Sequence, residues 1–237
     1  MNKDTLTLII PYRNRENHLG IFLKWFKEYS NKELIEVLFI ESDIEAYSED
    51  VVKTIPNAKY IHVKESRNSQ FHLARYLNIG LNNATGTYIC PYDIDLIPYK
   101  NSLFIHLERA KQINEIICGY RLDIHEKDWL KPNLNNTWQC SEDSEKALKK
   151  HLLTTEKFGV CPIFKKSISE KINGWDENYI GWGGEDQDFI EKYMNATNQI
   201  ILRSPNILYL HIKHDYEEYW KSNSIVNKNR EYYYKKL

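Results

Sequence analysis

The stretch TLTLIIPYRNRENHLGIFLKWFKEY, residues 5 to 29, joins two hydrophobic patterns of different period. Its first six residues form a short apolar run rich in β-branched side chains, which is typical of a buried strand. After a polar turn, apolar side chains recur at helical spacing, at Leu19, Phe22, Leu23, Phe26 and Tyr29. The stretch therefore predicts a strand followed directly by a helix.

The same alternation continues along the chain. Strand patterns return in EVLFIE (36–41), KYIHVKE (59–65) and TYICPY (87–92), with helical stretches near 48–55 and 70–83 between them. Alternating strands and helices imply right-handed crossovers, so we predict an α/β fold with a mainly parallel central sheet flanked by helices. Ligands of such sheets bind at the carboxyl ends of the strands.

The second half of the chain is less regular. Residues 157–194 read as strand, helix, loop and helix, and the charged stretch SEDSEKALKKH (141–151) as a solvated helix. No internal repeat or low-complexity linker divides the 237 residues, so we expect a single domain.

Composition excludes some classes of protein. A formal net charge of -1 argues against a globally basic nucleic-acid binder, so we expect no nucleic-acid partner. The apolar run before Pro11 is too short for a signal peptide or a membrane anchor, and the four widely spaced cysteines read as reduced thiols. These features favour a cytoplasmic location.

PYDIDLIP, residues 91–98, places two carboxylates just past an apolar strand. In extended backbone Asp93 and Asp95 would point the same way, so both could reach one metal-diphosphate group. Their hard oxygens suit Mg²⁺ or Mn²⁺. The alternative is a solvated turn without a ligand, because the Asp-x-Asp pattern is common.

LYLHIKHDY, residues 208–216, carries His211 and His214 near the predicted end of another strand. Imidazole prefers borderline metals, so an Asp and His ligand set favours Mn²⁺ over Mg²⁺. The alternative is that each histidine is an ordinary hydrogen-bonded residue.

PYRNRENH, residues 11–18, sets Arg13 and Arg15 at the first strand-to-helix turn, with Asn14 as the predicted N-cap. A helix N-terminus with two guanidinium groups suits an anion or a nucleotide, and the alternative is two exposed arginines. The chain has no glycine-rich phosphate loop, which argues against P-loop enzymes, dinucleotide-binding dehydrogenases and sugar nucleotidyltransferases.

GWGGEDQD, residues 181–188, combines three glycines, a tryptophan and three carboxylates. The glycines allow tight bends, Trp182 offers a flat apolar face, and Glu185 with Asp186 offers acceptors for sugar hydroxyls. This combination predicts a saccharide site. The alternative is a turn stabilised by its own tryptophan.

Three motifs, RNRENHL (13–19), DIDLIP (93–98) and INGWDENYIGWGGEDQDF (172–189), resemble the β-1,4-galactosyltransferase family in order and spacing. The resemblance implies a GT-A glycosyltransferase fold in one domain, with a UDP-binding half at about residues 1–100 and an acceptor-binding half at about 101–237. It also implies Mn²⁺, with Mg²⁺ as the alternative cofactor. The implied reaction is inverting transfer of galactose or N-acetylgalactosamine from a UDP-sugar.

Site residues follow from the resemblance, motif by motif. The donor would contact Pro11, Arg13, Arg15, Asp93 and Asp95. The metal ligands would be Asp95, His211 and His214. The acceptor would contact Trp182, Gly183, Gly184, Glu185 and Asp186, with Asp186 as the catalytic general base.

The chain departs from the family pattern at two positions. Gln187 replaces an acidic residue, and Leu73 lies where a donor-side arginine is expected. The retaining polypeptide N-acetylgalactosaminyltransferases share the WGGE motif and are an alternative, although Leu96 and Ile97 after Asp95, in place of a histidine two positions on, favour the inverting family. A non-catalytic carbohydrate-binding protein is the alternative from another class.

The match to family members without a membrane anchor suggests a bacterial enzyme of surface-polysaccharide or lipooligosaccharide assembly, with a saccharide or lipid-linked oligosaccharide as acceptor. The C-terminal stretch EEYWKSNSIVNKNREYYYKKL (217–237) mixes aromatic and basic residues. That mixture suits peripheral contact with the inner face of the cytoplasmic membrane. The alternative is a C-terminal helix packed on the core.

Overall fold

The structure is a computed structural model that describes residues 5–113, 115–124, 131–132, 138–139, 160–212, 214 and 222–236. The stretch SEDSEKALKKH (141–151) lies outside the described residues. The strands are β1 (Leu6–Tyr12), β2 (Ile35–Asp43), β3 (Ala58–Lys64), β4 (Tyr88–Pro91), β5 (Leu96–Pro98), β6 (Ile116–Ile124), β7 (Lys131–Pro132), β8 (Trp138–Gln139), β9 (Val160–Lys165) and β10 (Ile201–Ile212). The helices are α1 (Glu16–Glu28), α2 (Glu49–Val52), α3 (Leu73–Asn83), α4 (Ser102–Gln112), α5 (Lys166–Lys171), α6 (Glu185–Thr197) and α7 (Asn223–Lys236).

Eight of these strands form one sheet in the order β3-β2-β1-β4-β9-β6-β10-β5, and β7 pairs with β8. The pairs β3 with β2, β2 with β1, β1 with β4 and β6 with β10 are parallel. Strand β9 runs antiparallel to both β4 and β6, and β5 runs antiparallel to β10. Six strands therefore point the same way, as the alternating sequence pattern predicted.

The sheet is covered on both faces, which explains why β1 is apolar throughout. Leu6, Leu8 and Ile10 face the cluster that α1 and α4 complete, and Ile9 faces the cluster that α3 and α6 complete. Helix α3 lies close to β1, because a Cβ atom added at Gly80 would meet Ile9 Cγ2 at 2.2 Å. Among the described helices, none has the length and apolar character needed to cross a membrane.

Candidate active site

Polar side chains gather at one edge of the sheet, where the carboxyl ends of β1, β4 and β10 meet. The turn after β1 carries Arg13 and Arg15, the turn after β4 carries Asp93 and Asp95, and the end of β10 carries His211. Residue Pro11 lies within β1, opposite Ile40 of β2. A proline is tolerated there because the pairing of β1 with β4 has already ended at Ile9.

The three residues expected to bind a metal lie together. One possible ligand atom from each of Asp95, His211 and His214 falls within 4.8 Å of the other two. The Nε2 atoms of His214 and His211 lie 2.9 Å and 3.6 Å from Oδ2 of Asp95. Oδ1 of Asp95 is buried and has no hydrogen-bond partner among the described residues. A buried carboxylate oxygen beside two imidazoles fits a divalent cation such as Mn²⁺.

The charge of Asp95 is set by its neighbours. Burial by itself would raise the pKa of Asp95, but the neighbouring imidazoles of His211 and His214 outweigh it and hold this pKa below the ordinary aspartate range. Nη2 of Arg15 lies 3.1 Å from Nδ1 of His214. Since a guanidinium can only donate, that nitrogen of His214 is the acceptor in this contact.

Asp93 differs from its neighbour two positions on. Part of Asp93 is exposed at the surface, but the protein atoms around its carboxylate desolvate it. This desolvation, together with the charges of Asp95 and Asp186, raises the pKa of Asp93 to about 7. The extended backbone expected for residues 93–95 was wrong, because these residues form a turn in which the amide of Leu96 donates to the Asp93 carbonyl at 3.1 Å. Among the described residues, the cluster of potential metal ligands contains only Asp95 of the pair.

Arg13 is buried, with 2% of its surface exposed. Its guanidinium donates to the carbonyls of Ser42 and Ser69, both at 2.6 Å, and pairs with Glu65 at 3.2 Å. These bonds tie the end of β1 to the end of β2 and to the loop before α3. The alternative of two exposed arginines is therefore wrong for Arg13, whose guanidinium orders the walls of the site.

The predicted N-cap of α1 was also wrong. The helix begins at Glu16, so Arg15 occupies the cap position, and it makes no capping side-chain hydrogen bond. Asn14 instead adopts a left-handed backbone conformation, with φ of 51°. Asparagine tolerates this conformation better than most residues, so its role here is in the turn and not in the cap.

The GWGG loop has the backbone that its glycines predict. Gly181, Gly183 and Gly184 have φ angles of 77°, 103° and 95°, and Gly184 is the N-cap of α6. A Cβ at Gly181 would meet Ile225 Cγ2 at 2.7 Å, and one at Gly184 would meet Tyr179 Cε1 at 2.8 Å. At Gly183 no atom lies within 4 Å of that position, so this glycine leaves open space beside the loop.

The loop presents Trp182, which is 40% exposed, and passes into the first turn of α6 with Glu185 and Asp186. Glu185 is buried, and burial together with the charge of Asp186 raises the pKa of Glu185 to about 8. Part of Asp186 is exposed at the surface, but the protein atoms around its carboxylate desolvate it, and this desolvation raises its pKa to about 6. A carboxylate with a pKa near 6 is a suitable proton acceptor at neutral pH.

The two departures from the family pattern have structural counterparts. Leu73 begins α3 and packs against the hydrophobic cluster under that helix. Arg75, two residues further along the same helix, forms an ion pair with Glu65 at 2.8 Å. The amide nitrogen of Gln187 donates to the hydroxyl of Tyr233 in α7 at 2.7 Å. An acidic residue at 187 could not donate this bond.

Sequence reasoning assigned no role to His18 or Asn229. The His18 ring lies edge-on to His214, with ring centroids 5.7 Å apart, and burial lowers the pKa of His18. Its position three residues after Arg15 on a helix could have placed it at the same site. Asn229 lies in α7 and donates to the carbonyl of Trp182 in the GWGG loop and to that of Ile180 just before it. No local pattern relates it to a loop 47 positions away.

Comparison with known proteins agrees with this architecture. The model of the family "Glycosyl transferase family 2" matches residues 7–172, and that of "N-terminal domain of galactosyltransferase" matches residues 143–220. Beta-1,4-galactosyltransferase 1 of Bos taurus is 23% identical over 197 residues, which cover 79% of this chain and 36% of the relative. Beta-1,4-galactosyltransferase 4 of Homo sapiens is 22% identical over 194 residues, with coverage of 77% and 40%. The chain thus spans well under half the length of these relatives.

Three solved structures share the fold. The catalytic domain of Drosophila beta1,4galactosyltransferase 7 in complex with xylobiose has a TM-score of 0.57 at 16% identity, covering 95% of this chain and 79% of that one. A Pyrobaculum calidifontis mannosyltransferase in complex with GDP-Man and Mn²⁺ has a TM-score of 0.61 at 17% identity, covering 87% of this chain and 56% of that one. Residues 1–349 of S. aureus TarS in complex with UDP-GlcNAc have a TM-score of 0.64 at 15% identity, covering 92% of this chain and 61% of that one. The fold is GT-A, and the chain belongs to glycosyl transferase family 2, with the β-1,4-galactosyltransferases among its relatives.

Proposed function

We propose that this chain is a metal-dependent, inverting glycosyltransferase that moves galactose or N-acetylgalactosamine from a UDP-sugar to a saccharide hydroxyl. One observation supports the proposal above the others: besides burial, the charges of both Asp95 and Asp186 raise the pKa of Asp93, so this carboxylate interacts with a potential metal ligand and with the candidate base. This shared interaction supports placing the potential metal ligands and the candidate base at a single site, as a transfer reaction requires.

On the donor side, Asp95, His211 and His214 would hold Mn²⁺ or Mg²⁺. A bound divalent ion supplies positive charge beside a leaving diphosphate. Arg15, next to His214, is placed to add a second positive charge there. Asp93 and Pro11 line the same edge of the sheet, and Arg13 orders its walls, so these residues complete the proposed UDP site.

On the acceptor side, Trp182 would cover a sugar ring, with Gly183 giving backbone access and Gly184 turning the chain toward Glu185. Glu185 would bind an acceptor hydroxyl, and Asp186 would accept the proton of the attacking one. As that oxygen bonds to C1 of the donor sugar from the face opposite UDP, the bond from C1 to the phosphate oxygen breaks. UDP leaves with the electron pair, and the anomeric configuration inverts.

The biological setting proposed for this activity is assembly of a bacterial surface polysaccharide or lipooligosaccharide. It rests on the resemblance to family members without an anchor. The acceptor would then be a saccharide or a lipid-linked oligosaccharide.

Thermal denaturation and donor hydrolysis with a panel of UDP-sugars, each with and without Mn²⁺, test the proposal. We expect one or more UDP-sugars to raise the melting temperature only when Mn²⁺ is present, because a ligand that binds the native state alone stabilises it. Asp95→Asn should abolish this Mn²⁺-dependent shift, and Asp50→Asn, at an exposed position of α2, is its matched control. Sugar binding without dependence on UDP or metal would instead indicate a carbohydrate-binding protein.

The stereochemical part of the proposal has its own test. Proton NMR of the product distinguishes an inverted anomeric centre from a retained one. A product with the same anomeric configuration as the donor would contradict the role given to Asp186 and favour a retaining transferase.

A further inference from the structure

Helix α7 packs against the segment that carries the candidate acceptor site. Its side chain Asn229 is 5% exposed, and the Nδ2 amide donates to the carbonyl of Ile180 at 3.0 Å and to that of Trp182 at 3.3 Å. These two carbonyls flank Gly181. One side-chain amide therefore bridges the two sides of Gly181, which has a positive φ of 77°.

The bridge is placed where the loop has little regular structure to hold it. Three glycines with positive φ follow one another within four positions, so the backbone here does not continue the ladder of a strand or a helix. On the opposite side, the Gly181 amide donates to the Phe71 carbonyl at 3.0 Å. Asn229 supplies hydrogen-bond donors to two carbonyls of this segment from the α7 side.

Further contacts fix α7 in the position that this bridge needs. Tyr232 donates to Asp176 at 2.9 Å, and Lys236 pairs with Asp176 at 2.8 Å and also with Asp188. Gln187 donates to the hydroxyl of Tyr233 at 2.7 Å. Bonds from α7 thus reach the segment before the loop and the first turn of α6 after it.

We propose that Asn229 is a positioning residue for acceptor binding, which acts by holding the loop that presents Trp182 and leads into Glu185 and Asp186. The donor side is built on β1, β4 and β10. The two hydrogen bonds that Asn229 donates go instead to Ile180 and Trp182, on the acceptor side. Loss of its amide should therefore disturb the acceptor loop far more than the metal and UDP site. What the loop binds rests on the proposed function, but the order of the loop does not.

Asn229→Asp is the sharpest test, because it keeps the shape of the side chain and replaces the donating NH2 group by an oxygen. That oxygen can only accept hydrogen bonds, and it would face two carbonyls. Asn227→Asp is the matched control, since it makes the same chemical change on an exposed position of the same helix. Hydrogen exchange measured by mass spectrometry on peptides covering 176–188 reports loop order without any ligand. We expect about tenfold faster exchange within 181–185 for Asn229→Asp and wild-type exchange for Asn227→Asp.

Kinetics separate positioning from general support of the fold. With UDP-galactose, Mn²⁺ and p-nitrophenyl N-acetyl-β-D-glucosaminide as the acceptor probe, we expect Asn229→Asp to raise the acceptor KM about tenfold with a much smaller change in the donor KM. Tyr232→Phe, which removes the bonds to Asp176 and Asn178 and leaves the Asn229 bridge intact, should lower the melting temperature and leave the acceptor KM in place. If Asn229→Asp does not fold, Asn229→Ser is measured in its place, because a hydroxyl can donate to only one of the two carbonyls.

The outcomes for the two proposals are distinct. Unchanged exchange in the loop of the Asn229 variant overturns the positioning role, whatever the enzyme transfers. Equal changes in donor and acceptor KM also overturn it. Absence of any Mn²⁺-dependent turnover of a UDP-sugar by the wild-type chain contradicts the proposed function, while the exchange measurement still decides the role of Asn229.

Discussion

Two groups of carboxylates belong to the candidate site, and their neighbours shift their pKa values in opposite directions. In the turn after β4, Asp95 lies between His211 and His214, and these imidazoles hold its pKa low. At the start of α6, Glu185 and Asp186 lie in surroundings that raise their pKa values to about 8 and about 6. Residues of one chemical type can thus provide a permanent charge for a cation on one side and a group that takes up a proton on the other.

The largest effect is expected on the donor side, where one substitution removes the low-pKa carboxylate. Asp95→Asn removes the negative charge that the two imidazoles surround, so we expect UDP affinity in the presence of Mn²⁺ to fall to its metal-free level. Isothermal titration calorimetry of UDP with and without Mn²⁺ measures this, with Asp50→Asn as the control. Undiminished Mn²⁺-dependent affinity in Asp95→Asn would show that the metal site lies elsewhere.

The raised pKa of Glu185 makes a prediction about stability and pH. Between its ordinary pKa of about 4.5 and the folded value of about 8, the native state holds a proton that the unfolded state has released. The free energy of unfolding should therefore fall as pH rises through this window. Glu185→Gln should flatten this dependence and, at pH 8, raise the melting temperature by roughly 5 °C.

Urea titrations of wild type, Glu185→Gln and Glu45→Gln at pH 5 and pH 8 check this prediction. Glu45 lies on an exposed loop and serves as the control. If Glu185→Gln and wild type lose the same stability between the two pH values, the proton is not held by Glu185.

The glycines of the acceptor loop give a smaller effect. Gly183→Ala meets no atom, but it places a Cβ on a backbone with φ of 103°, which we expect to cost about 1 kcal/mol of the free energy of unfolding. Gly20→Ala is the control, because Gly20 lies within α1 and also has no atom within 4 Å of an added Cβ. There we expect a gain of about 0.5 to 1 kcal/mol. Equal effects of the two substitutions in urea titrations would show that the backbone of the loop is not strained.

The smallest expected effect concerns the C-terminal aromatic and basic residues. Tyr232 and Tyr233 donate to Asp176 and Glu191, so these two side chains are committed to the protein core side of α7. We therefore expect equal sedimentation with anionic and neutral liposomes, before and after removal of residues 222–237. Preferential sedimentation with anionic liposomes that disappears on truncation would support contact with a membrane.

Much of the candidate site could be predicted from sequence, because local patterns and motif spacing indicate which strand, helix or loop carries each residue. The alternation of strand and helix placed Asp95, His211 and the GWGG loop on the correct elements. The turn at residues 93–95 and the N-cap at Arg15 were missed, since both depend on how the backbone closes in three dimensions. The burial of Arg13 and the bridge from Asn229 depend on partners far away in the chain, which one sequence does not reveal.

The central claim is that Asp186 is the group that takes the proton from the acceptor. The most direct test is kcat of wild type, Asp186→Asn and Glu185→Gln from pH 5 to pH 8, at saturating Mn²⁺, UDP-sugar and acceptor. We predict that kcat of the wild type rises with pH through about 6, because Asp186 must be deprotonated to act as a base. In Asp186→Asn kcat should be lower by ~10²- to 10⁴-fold, and this rise should be gone. Glu185→Gln should chiefly raise the acceptor KM. A near-normal kcat in Asp186→Asn, or the same pH dependence as the wild type, would contradict the account.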